Sequence, residues 1–109
     1  MKAAIFDVPG TPLALRELAV PKAASNDVVV KVSYCGICSS DLHMSDGKGA
    51  YTAPQNSVLG HEFSGVVTEV GCDVKDTAVG DHVAVIPLRA CGNCGYCDSG
   101  EFKMCAGFE

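Results

Sequence analysis

The stretch Cys91-Gly-Asn-Cys94-Gly-Tyr-Cys97-Asp-Ser-Gly-Glu-Phe-Lys-Met-Cys105 carries four cysteines within fifteen residues. Their spacing is C-x2-C-x2-C-x7-C, and the glycines between them allow the backbone to bend sharply. Four thiolates on one short loop are a ligand set for tetrahedral zinc, with zinc–sulfur bonds of about 2.3 Å. Because four protein ligands leave no open coordination position, the sequence predicts a structural zinc lobe over residues 91–105 that stabilises the fold and performs no chemistry.

An iron–sulfur cluster and disulfide bonds are two alternatives to zinc for these cysteines. Bacterial ferredoxins hold an iron–sulfur cluster with C-x2-C-x2-C-x3-C followed by proline, whereas here the last gap is seven residues and Ala106 follows. Disulfide pairing is typical of exported proteins. Residues 1–7 lack the apolar run of a signal peptide and no stretch approaches a membrane span, so we expect a cytoplasmic protein. The ligand spacing therefore favours zinc.

Length, charge and cysteine count restrict the class of protein. The chain has 109 residues, seven cysteines and a formal net charge of −5. A chain of this length forms one domain with a modest core, to which a bound metal adds stability. No cluster of lysine or arginine occurs, so we expect no nucleic-acid surface. The odd number of cysteines indicates metal ligands plus spare thiols, and we interpret Cys35 and Cys72 as small apolar residues without a ligand.

The rest of the sequence predicts a mostly β domain. Five β-prone runs are separated by turns or loops, at residues 2–7, 13–18, 27–34, 63–70 and 83–86. In the third run, alternation predicts that Val28, Val30 and Val32 share one face of the strand. The fifth run is purely apolar, which predicts a buried strand leading into the cysteine lobe.

Short helical and irregular segments connect these strands. Residues 39–44 predict one helical turn with Ser39 or Ser40 near its cap, because serine oxygens accept hydrogen bonds from first-turn N–H groups. Residues 46–57 contain glycine and proline without periodicity and predict a loop. Residues 79–81, Val-Gly-Asp, predict a turn.

A second group of candidate ligands is Cys38, His61 and Glu62, which are separated in sequence. A catalytic zinc keeps three protein ligands and one open position for water or substrate. Sequence alone does not show that the three converge. Cys35 and Cys38 also form the C-x-x-C of thioredoxin-like redox proteins, although the βαβ units of that fold are missing. Taken singly, His61 fits a hydrogen-bonded structural histidine, and His82 fits a solvated turn residue.

Four ordered motifs together resemble the N-terminal catalytic domain of the zinc-dependent medium-chain alcohol and polyol dehydrogenases. The motifs are Gly36-Ile-Cys-Ser-Ser-Asp41, Gly60-His-Glu-Phe-Ser-Gly65 with Gly71 and Val74 after it, Val79-Gly-Asp-His-Val83, and the cysteine quartet. His82 stands where arginine is usual in that family. The resemblance covers residues 1–109 and implies a GroES-like fold, a partly open and mostly antiparallel β-barrel with a protruding zinc lobe.

The resemblance also implies roles for single residues. Cys38 and His61 match catalytic zinc ligands, and Glu62 matches the adjacent glutamate that approaches or replaces a ligand. Asp41 would hydrogen-bond the ring nitrogen of His61 that faces away from the metal and so fix its tautomer.

Three further expectations concern catalysis and substrate. Ser40 resembles the hydroxyl that takes the alcohol proton, and His43 resembles the residue that passes this proton to solvent. The loop of residues 45–59 is expected to line the pocket for a small alcohol or polyol. Which alcohol binds there is not determined by the small and polar residues of this loop.

In the family the last catalytic zinc ligand and the dinucleotide-binding domain follow the cysteine lobe, and residues 1–109 contain no G-x-G-x-x-G after a strand. NAD or NADP would bind through that absent domain, so we expect these residues alone to be inactive, with an uncovered apolar face that favours self-association. Two other classes stay open. One is a non-catalytic, zinc-stabilised β-barrel module used for structure or interaction, and the other is a thiol redox protein with a Cys35–Cys38 disulfide.

Overall fold

The computed structural model describes residues 1–48 and 52–107, and within them the chain forms two open three-stranded sheets. The strands are β1 Lys2–Phe6, β2 Ala14–Glu17, β3 Val28–Cys35, β4 Ser57–Val58, β5 Phe63–Val70 and β6 His82–Val85. The first sheet has the order β2-β1-β4 and the second has the order β3-β5-β6, with antiparallel pairing throughout. The mostly β, partly open class is therefore confirmed.

The helical elements are short and lie close to the cysteines. They are α1 Ser39–Asp46, α2 Gly95–Asp98 and a 3-10 turn at Phe102–Met104. No helix in the described ranges has the length and apolar character needed to cross a membrane. The loop expected over residues 46–57 in fact begins with the last residue of α1 and ends with the first residue of β4. Its residues 49–51 lie outside the described residues.

The most deeply buried side chains are Ile5, Phe6 and Val67, each 1% exposed. Ile5 and Phe6 are consecutive in β1, so they point to opposite faces of their sheet, and β1 is covered on both sides. Its central place between β2 and β4 also pairs its backbone on both edges. The N-terminal strand is thus the best protected element of the first sheet.

The second sheet departs from one expectation. The fifth apolar run is not a buried strand, because β6 is an edge strand in which His82 and Ala84 are exposed, and Ile86 beyond it is exposed too. In β3, the pairing with β5 shifts register at Val29/Val30 and at Val32/Tyr34, and Val32 is exposed. The shared face of Val28, Val30 and Val32 stays a prediction.

One glycine is required by the close approach of β3 and β5. Gly65 lies opposite Val32, and a Cβ atom built on it would lie 2.2 Å from the carbonyl oxygen of Lys31. A backbone oxygen within a paired strand has little freedom to move away. The residue at position 65 therefore controls whether the second sheet closes in its observed register.

Gly65→Ala should destabilise the protein by about 1–3 kcal/mol, because the added methyl group overlaps a backbone carbonyl. The matched control is Gly95→Ala, since a Cβ atom at Gly95 meets no atom within 4 Å and its backbone is helical. Urea unfolding of both variants, followed by circular dichroism, measures the difference. Equal midpoints for the two variants would contradict the close packing of β3 on β5.

Candidate functional site

The first candidate site is the cysteine lobe that follows β6. Helix α2 carries Cys97, and the 3-10 turn ends beside Cys105. The sulfur of Cys97 lies 3.9 Å from that of Cys91 and 3.6 Å from that of Cys94, and all four sulfurs lie within 4.8 Å of one another. A tetrahedron with zinc–sulfur bonds of 2.3 Å has sulfur–sulfur edges of about 3.8 Å. The lobe therefore has the dimensions of a tetrathiolate zinc site.

The same distances do not fit the disulfide interpretation. A disulfide bond joins sulfurs that are about 2.05 Å apart, and all seven cysteines are free thiols in this structure. Cys97 and Cys105 are buried, which is common for structural ligands and rare for redox-active thiols.

Backbone N–H groups stabilise the thiolate form of two cysteines in the lobe, Cys94 and Cys105. The N–H groups of Ala106 and Cys97 donate toward Cys94 and lower the pKa of its thiol to about 6. The N–H of Cys91 donates to the Cys105 sulfur at 3.2 Å and lowers the pKa of that thiol as well. Burial raises the pKa of Cys97 to about 11. A cation at the centre would offset this burial cost, so the donor set fits a zinc ion.

The second candidate site lies where β3 ends and β5 begins. Cys35, the last residue of β3, pairs with Phe63, the first residue of β5, and the N–H of Gly36 donates to the carbonyl of Glu62 at 2.7 Å. The residues just beyond these two strand ends are consequently neighbours. This places Cys38 after β3 beside the His61-Glu62 pair that precedes β5.

The ligand atoms of Cys38, His61 and Glu62 lie within 4.8 Å of one another, and we call these residues the metal cluster. A thiolate, an imidazole and a carboxylate are the three common ligand types for zinc in proteins. Three ligands leave a fourth tetrahedral position open, unlike the four sulfurs of the lobe. None of the three residues is buried, so the cluster is open to solvent.

Cys38 stands at the N-terminus of α1, and this differs from the expected cap. The structure places Cys38, rather than Ser39 or Ser40, at the N-cap, so the two serines belong to the first turn. The reason is Asp41, whose Oδ2 accepts the N–H of Cys38 at 2.9 Å. This bond satisfies the Cys38 N–H at the helix start and fixes the backbone that carries the Cys38 thiol.

The other oxygen of Asp41 faces the segment that carries His61. Its Oδ1 accepts the N–H of Gly60 at 3.2 Å and lies 3.4 Å from Nδ1 of His61. Gly60 has a φ of 104°, a conformation that favours glycine, and a Cβ atom there would also collide with the sulfur of Cys35. With Nδ1 facing Asp41, the Nε2 atom of His61 is the nitrogen free for the metal cluster.

The protonation of Cys38 and His61 is linked. The side chain and backbone N–H of Ser40 donate toward the Cys38 sulfur and, together with His61, lower the pKa of the Cys38 thiol. The hydrogen bond with Cys38 raises the pKa of His61, and the negative charge of Asp41 adds to this effect. Ser40 Oγ also lies 3.4 Å from Nε2 of His61. The two ring nitrogens of His61 therefore face different oxygens.

Other residues singled out from the sequence lie at the surface. His43 is exposed on α1, one helical turn after Ser40, and His82 is exposed on β6. Cys35 and Cys72 are also exposed, whereas a cysteine that acts as a small apolar residue is usually buried. Cys72 lies in the turn after β5, which a sequence pattern does not distinguish from an interior position.

Two features of the site were missed in the sequence. Gly60 supplies a backbone N–H to Asp41, and the signal was its place directly before His61. An open groove of about 390 Å³ lies beside Glu62 and is lined by Tyr34, Phe63, Ile86 and Pro87 among others. None of the described residues of the expected pocket loop, 45–48 and 52–59, lines this groove.

Comparison with known proteins agrees with this architecture. The sequence profile of the alcohol dehydrogenase GroES-like domain matches residues 24–109. The chain belongs to the alcohol dehydrogenase GroES-like domain family. D-arabitol-phosphate dehydrogenase from Enterococcus avium is 43% identical over 108 residues, covering 96% of this chain and 30% of the relative. Alcohol dehydrogenase from Geobacillus stearothermophilus is 39% identical over 106 residues, covering 96% of this chain and 32% of the relative.

Solved structures of this GroES-like domain family share the fold. A cobalt- and zinc-bound thermostable alcohol dehydrogenase from Pyrobaculum aerophilum superimposes with a TM-score of 0.86 at 34% identity. The match covers 98% of this chain and 32% of that structure. The chain thus spans about a third of the length of the relatives that it matches.

Replacing Asp41 with alanine should destabilise the protein by about 1–3 kcal/mol, because the N–H groups of Cys38 and Gly60 would lose their acceptor in a part-buried site. Asp46→Ala is the control on the same helix, since Asp46 forms a solvent-exposed pair with Lys48 at 3.8 Å and its loss should change stability by less than about 0.5 kcal/mol. Urea unfolding measures both. Similar free energies of unfolding for the two variants would show that Asp41 does not hold the segments of Cys38 and Gly60 together.

In the metal-free protein, iodoacetamide at pH 7 should modify Cys94 before Cys97. The folded pKa of Cys94, about 6, lies below the ordinary value of 9, so Cys94 is a thiolate above pH 6. This lowered pKa stabilises the folded protein at high pH, and the stabilisation is lost as the pH falls through 6. Cys97, with a pKa of about 11, remains protonated. Peptide mass spectrometry measures both rates. Denaturant should abolish the difference, and zinc should protect both residues.

Proposed function

We propose that the chain is the catalytic, zinc-binding domain of an NAD(P)-dependent alcohol or polyol dehydrogenase. The observation that supports this most directly is the convergence of Cys38, His61 and Glu62 beside the buried Asp41. A domain that used zinc only for stability would need the cysteine lobe and would have no need for a second, solvent-open ligand set. The relatives are named as dehydrogenases of alcohols and of a polyol phosphate.

The two ligand sets would have different tasks. Cys91, Cys94, Cys97 and Cys105 would hold a structural zinc with a closed shell. Cys38 and His61 would hold the catalytic zinc, with Glu62 as a third or alternate ligand and a position left for substrate. When bound, this zinc supplies Lewis-acid polarisation of an alcohol or carbonyl oxygen, and a nicotinamide dinucleotide supplies the hydride acceptor or donor.

The residues around the metal cluster would handle the proton. Ser40, whose Oγ is 3.4 Å from Nε2 of His61, would accept the proton of an alcohol bound beside the cluster. His43 follows Ser40 by one turn on the same helix and is exposed, so it would transfer that proton to solvent. Asp41 would hold His61 in the tautomer that presents Nε2.

The complete reaction would need more than these 109 residues. They span about 30% of the length of the relatives, and we propose that NAD or NADP binds outside them. By themselves they would therefore not oxidise an alcohol. The substrate class is a small alcohol or polyol, and seven free thiols are consistent with a reducing compartment such as the cytoplasm. Exposed apolar residues such as Tyr34 and Ile86 would favour self-association.

Metal analysis of the purified protein tests the proposal. We expect about two zinc ions per chain, one in each ligand set, and about one zinc after Cys38→Ala. The control is Cys72→Ala, because Cys72 is an exposed thiol outside both ligand groups and its removal should leave two zinc ions.

The outcomes separate the two candidate functions. A loss of one zinc in Cys38→Ala, but not in Cys72→Ala, supports a catalytic metal on Cys38. One zinc per chain that is unchanged by Cys38→Ala would contradict the dehydrogenase proposal. That result would favour a non-catalytic module in which only the cysteine lobe, whose four sulfurs already converge, holds metal.

A further inference from the structure

The metal cluster lies in two of the connections between the sheets. β4 belongs to the first sheet and β5 to the second, so residues 59–62 cross from one sheet to the other and carry both His61 and Glu62. Cys38 lies in the connection from β3 of the second sheet to β4 of the first, at the point where β3 leads into α1. All three candidate ligands therefore depend on how the first sheet is positioned relative to the second.

The β1–β2 hairpin contacts the connection from β3 to β4 at two places. At the first, the N–H of Gly10 in the hairpin turn donates to the carbonyl of Ser45 near the end of α1 at 2.6 Å. Gly47, which ends α1 with a φ of 67°, packs so closely on Pro9 that a Cβ atom would lie 2.6 Å from the Pro9 Cβ. The hairpin turn thereby fixes the far end of the helix that begins at Cys38.

At the second place, the hairpin holds the residue before β4. Arg16 on β2 forms an ion pair with Asp7, and its Nη1 donates to Oδ1 of Asn56 at 2.6 Å. Asn56 has a φ of 64° and donates its own N–H to the carbonyl of Phe6 at 2.8 Å. A turn in this left-handed conformation costs free energy unless neighbours hold it, and Arg16 supplies one such contact.

β4 is short, which increases the importance of this contact. It pairs with β1 at Ile5 and Phe6 only, and His61 follows β4 after two residues. A strand of two residues has few ladder hydrogen bonds of its own, so its position depends strongly on the Asn56 anchor. A shift at Asn56 would be transmitted along this short connection to His61.

We propose that Arg16 is a positioning residue for the metal cluster, and that the N-terminal hairpin and metal binding stabilise each other. This inference rests on the proposed function because it requires a metal on Cys38 and His61. Arg16 touches none of the three candidate ligands in the contacts described; it acts through Asn56 and β4. By linkage, if the hairpin raises metal affinity, metal must stabilise the hairpin to the same extent.

Two variants remove the contact in different ways. Arg16→Ala removes the guanidinium, whereas Asn56→Gly removes its acceptor and retains a residue that accepts the positive φ. The Arg16–Asp7 pair is partly exposed, so its loss should change global stability little. Glu17→Ala is the matched control, because Glu17 lies next on β2 and its exposed carboxylate approaches the N-terminal amine at 3.8 Å.

The measurement is zinc affinity by chelator competition, with the step lost in Cys38→Ala assigned to the metal cluster. We expect Arg16→Ala and Asn56→Gly each to weaken this step about tenfold, the low end for residues that orient a ligand through another group. The double variant should bind zinc at the metal cluster no more weakly than either single variant, because the two substitutions break the same interaction. The zinc affinity of the cysteine lobe should not change in Arg16→Ala or Asn56→Gly. In Glu17→Ala, the zinc affinity of both sites should not change.

Amide hydrogen exchange tests the reverse direction of the coupling. In the wild type, loading the metal cluster should slow exchange of the Asn56 N–H, which is bound to Phe6, and of the β1 amides. In Cys38→Ala, zinc should give no such protection. In Arg16→Ala, the protection should be reduced by the same factor as the affinity.

The outcomes distinguish this inference from the proposed function. A wild type that loads only the cysteine lobe would overturn both. A wild type that loads both sites, with unchanged cluster affinity in Arg16→Ala and Asn56→Gly, would overturn the coupling and leave the dehydrogenase proposal standing. Equal weakening of both zinc sites would also overturn the coupling, because it would indicate a general loss of stability.

Discussion

The carboxylate of Asp41 is shared between two segments that come from different parts of the chain. It is almost fully buried, and a buried charge is costly unless hydrogen-bond donors surround it. One oxygen takes the N–H of Cys38 and the other takes the N–H of Gly60, beside the ring of His61. Asp41 therefore holds a thiol and an imidazole together where the pairing of β3 with β5 already makes their segments neighbours, and the metal cluster depends on a polar contact as well as on strand register.

The two ligand sets differ in how far the sequence alone predicted them. The cysteine lobe is local: its four sulfurs lie within one short stretch, so ligand spacing was enough to predict a tetrahedral site of the observed dimensions. Cys38 and His61 lie on separate segments, and their convergence depends on the pairing of Cys35 with Phe63 across two strands. No local pattern encodes that register. Only the resemblance of ordered motifs to a known family pointed to it.

The same distinction explains the errors in the fold. The β-prone runs were located correctly because strand propensity is a property of the side chains themselves. Whether a strand is central or at an edge is decided by its partners, so the apolar composition of β6 did not reveal that one of its sides is open. The register shifts between β3 and β5 are likewise a property of the strand pair rather than of either sequence. Cys38 replaced serine as the helix cap because Asp41 supplies the hydrogen bond.

The apolar core of the domain is small, so a zinc in the cysteine lobe would have a large share in its stability. The most deeply buried apolar side chains, Ile5, Phe6 and Val67, contribute about 1.5–3 kcal/mol each. A structural zinc in a small peptide contributes about 10–16 kcal/mol at neutral pH. A zinc in the cysteine lobe would therefore outweigh any single core side chain. Tyr34 and Ile86 stay exposed in the groove beside Glu62, so further burial of this surface would need contacts outside the described residues.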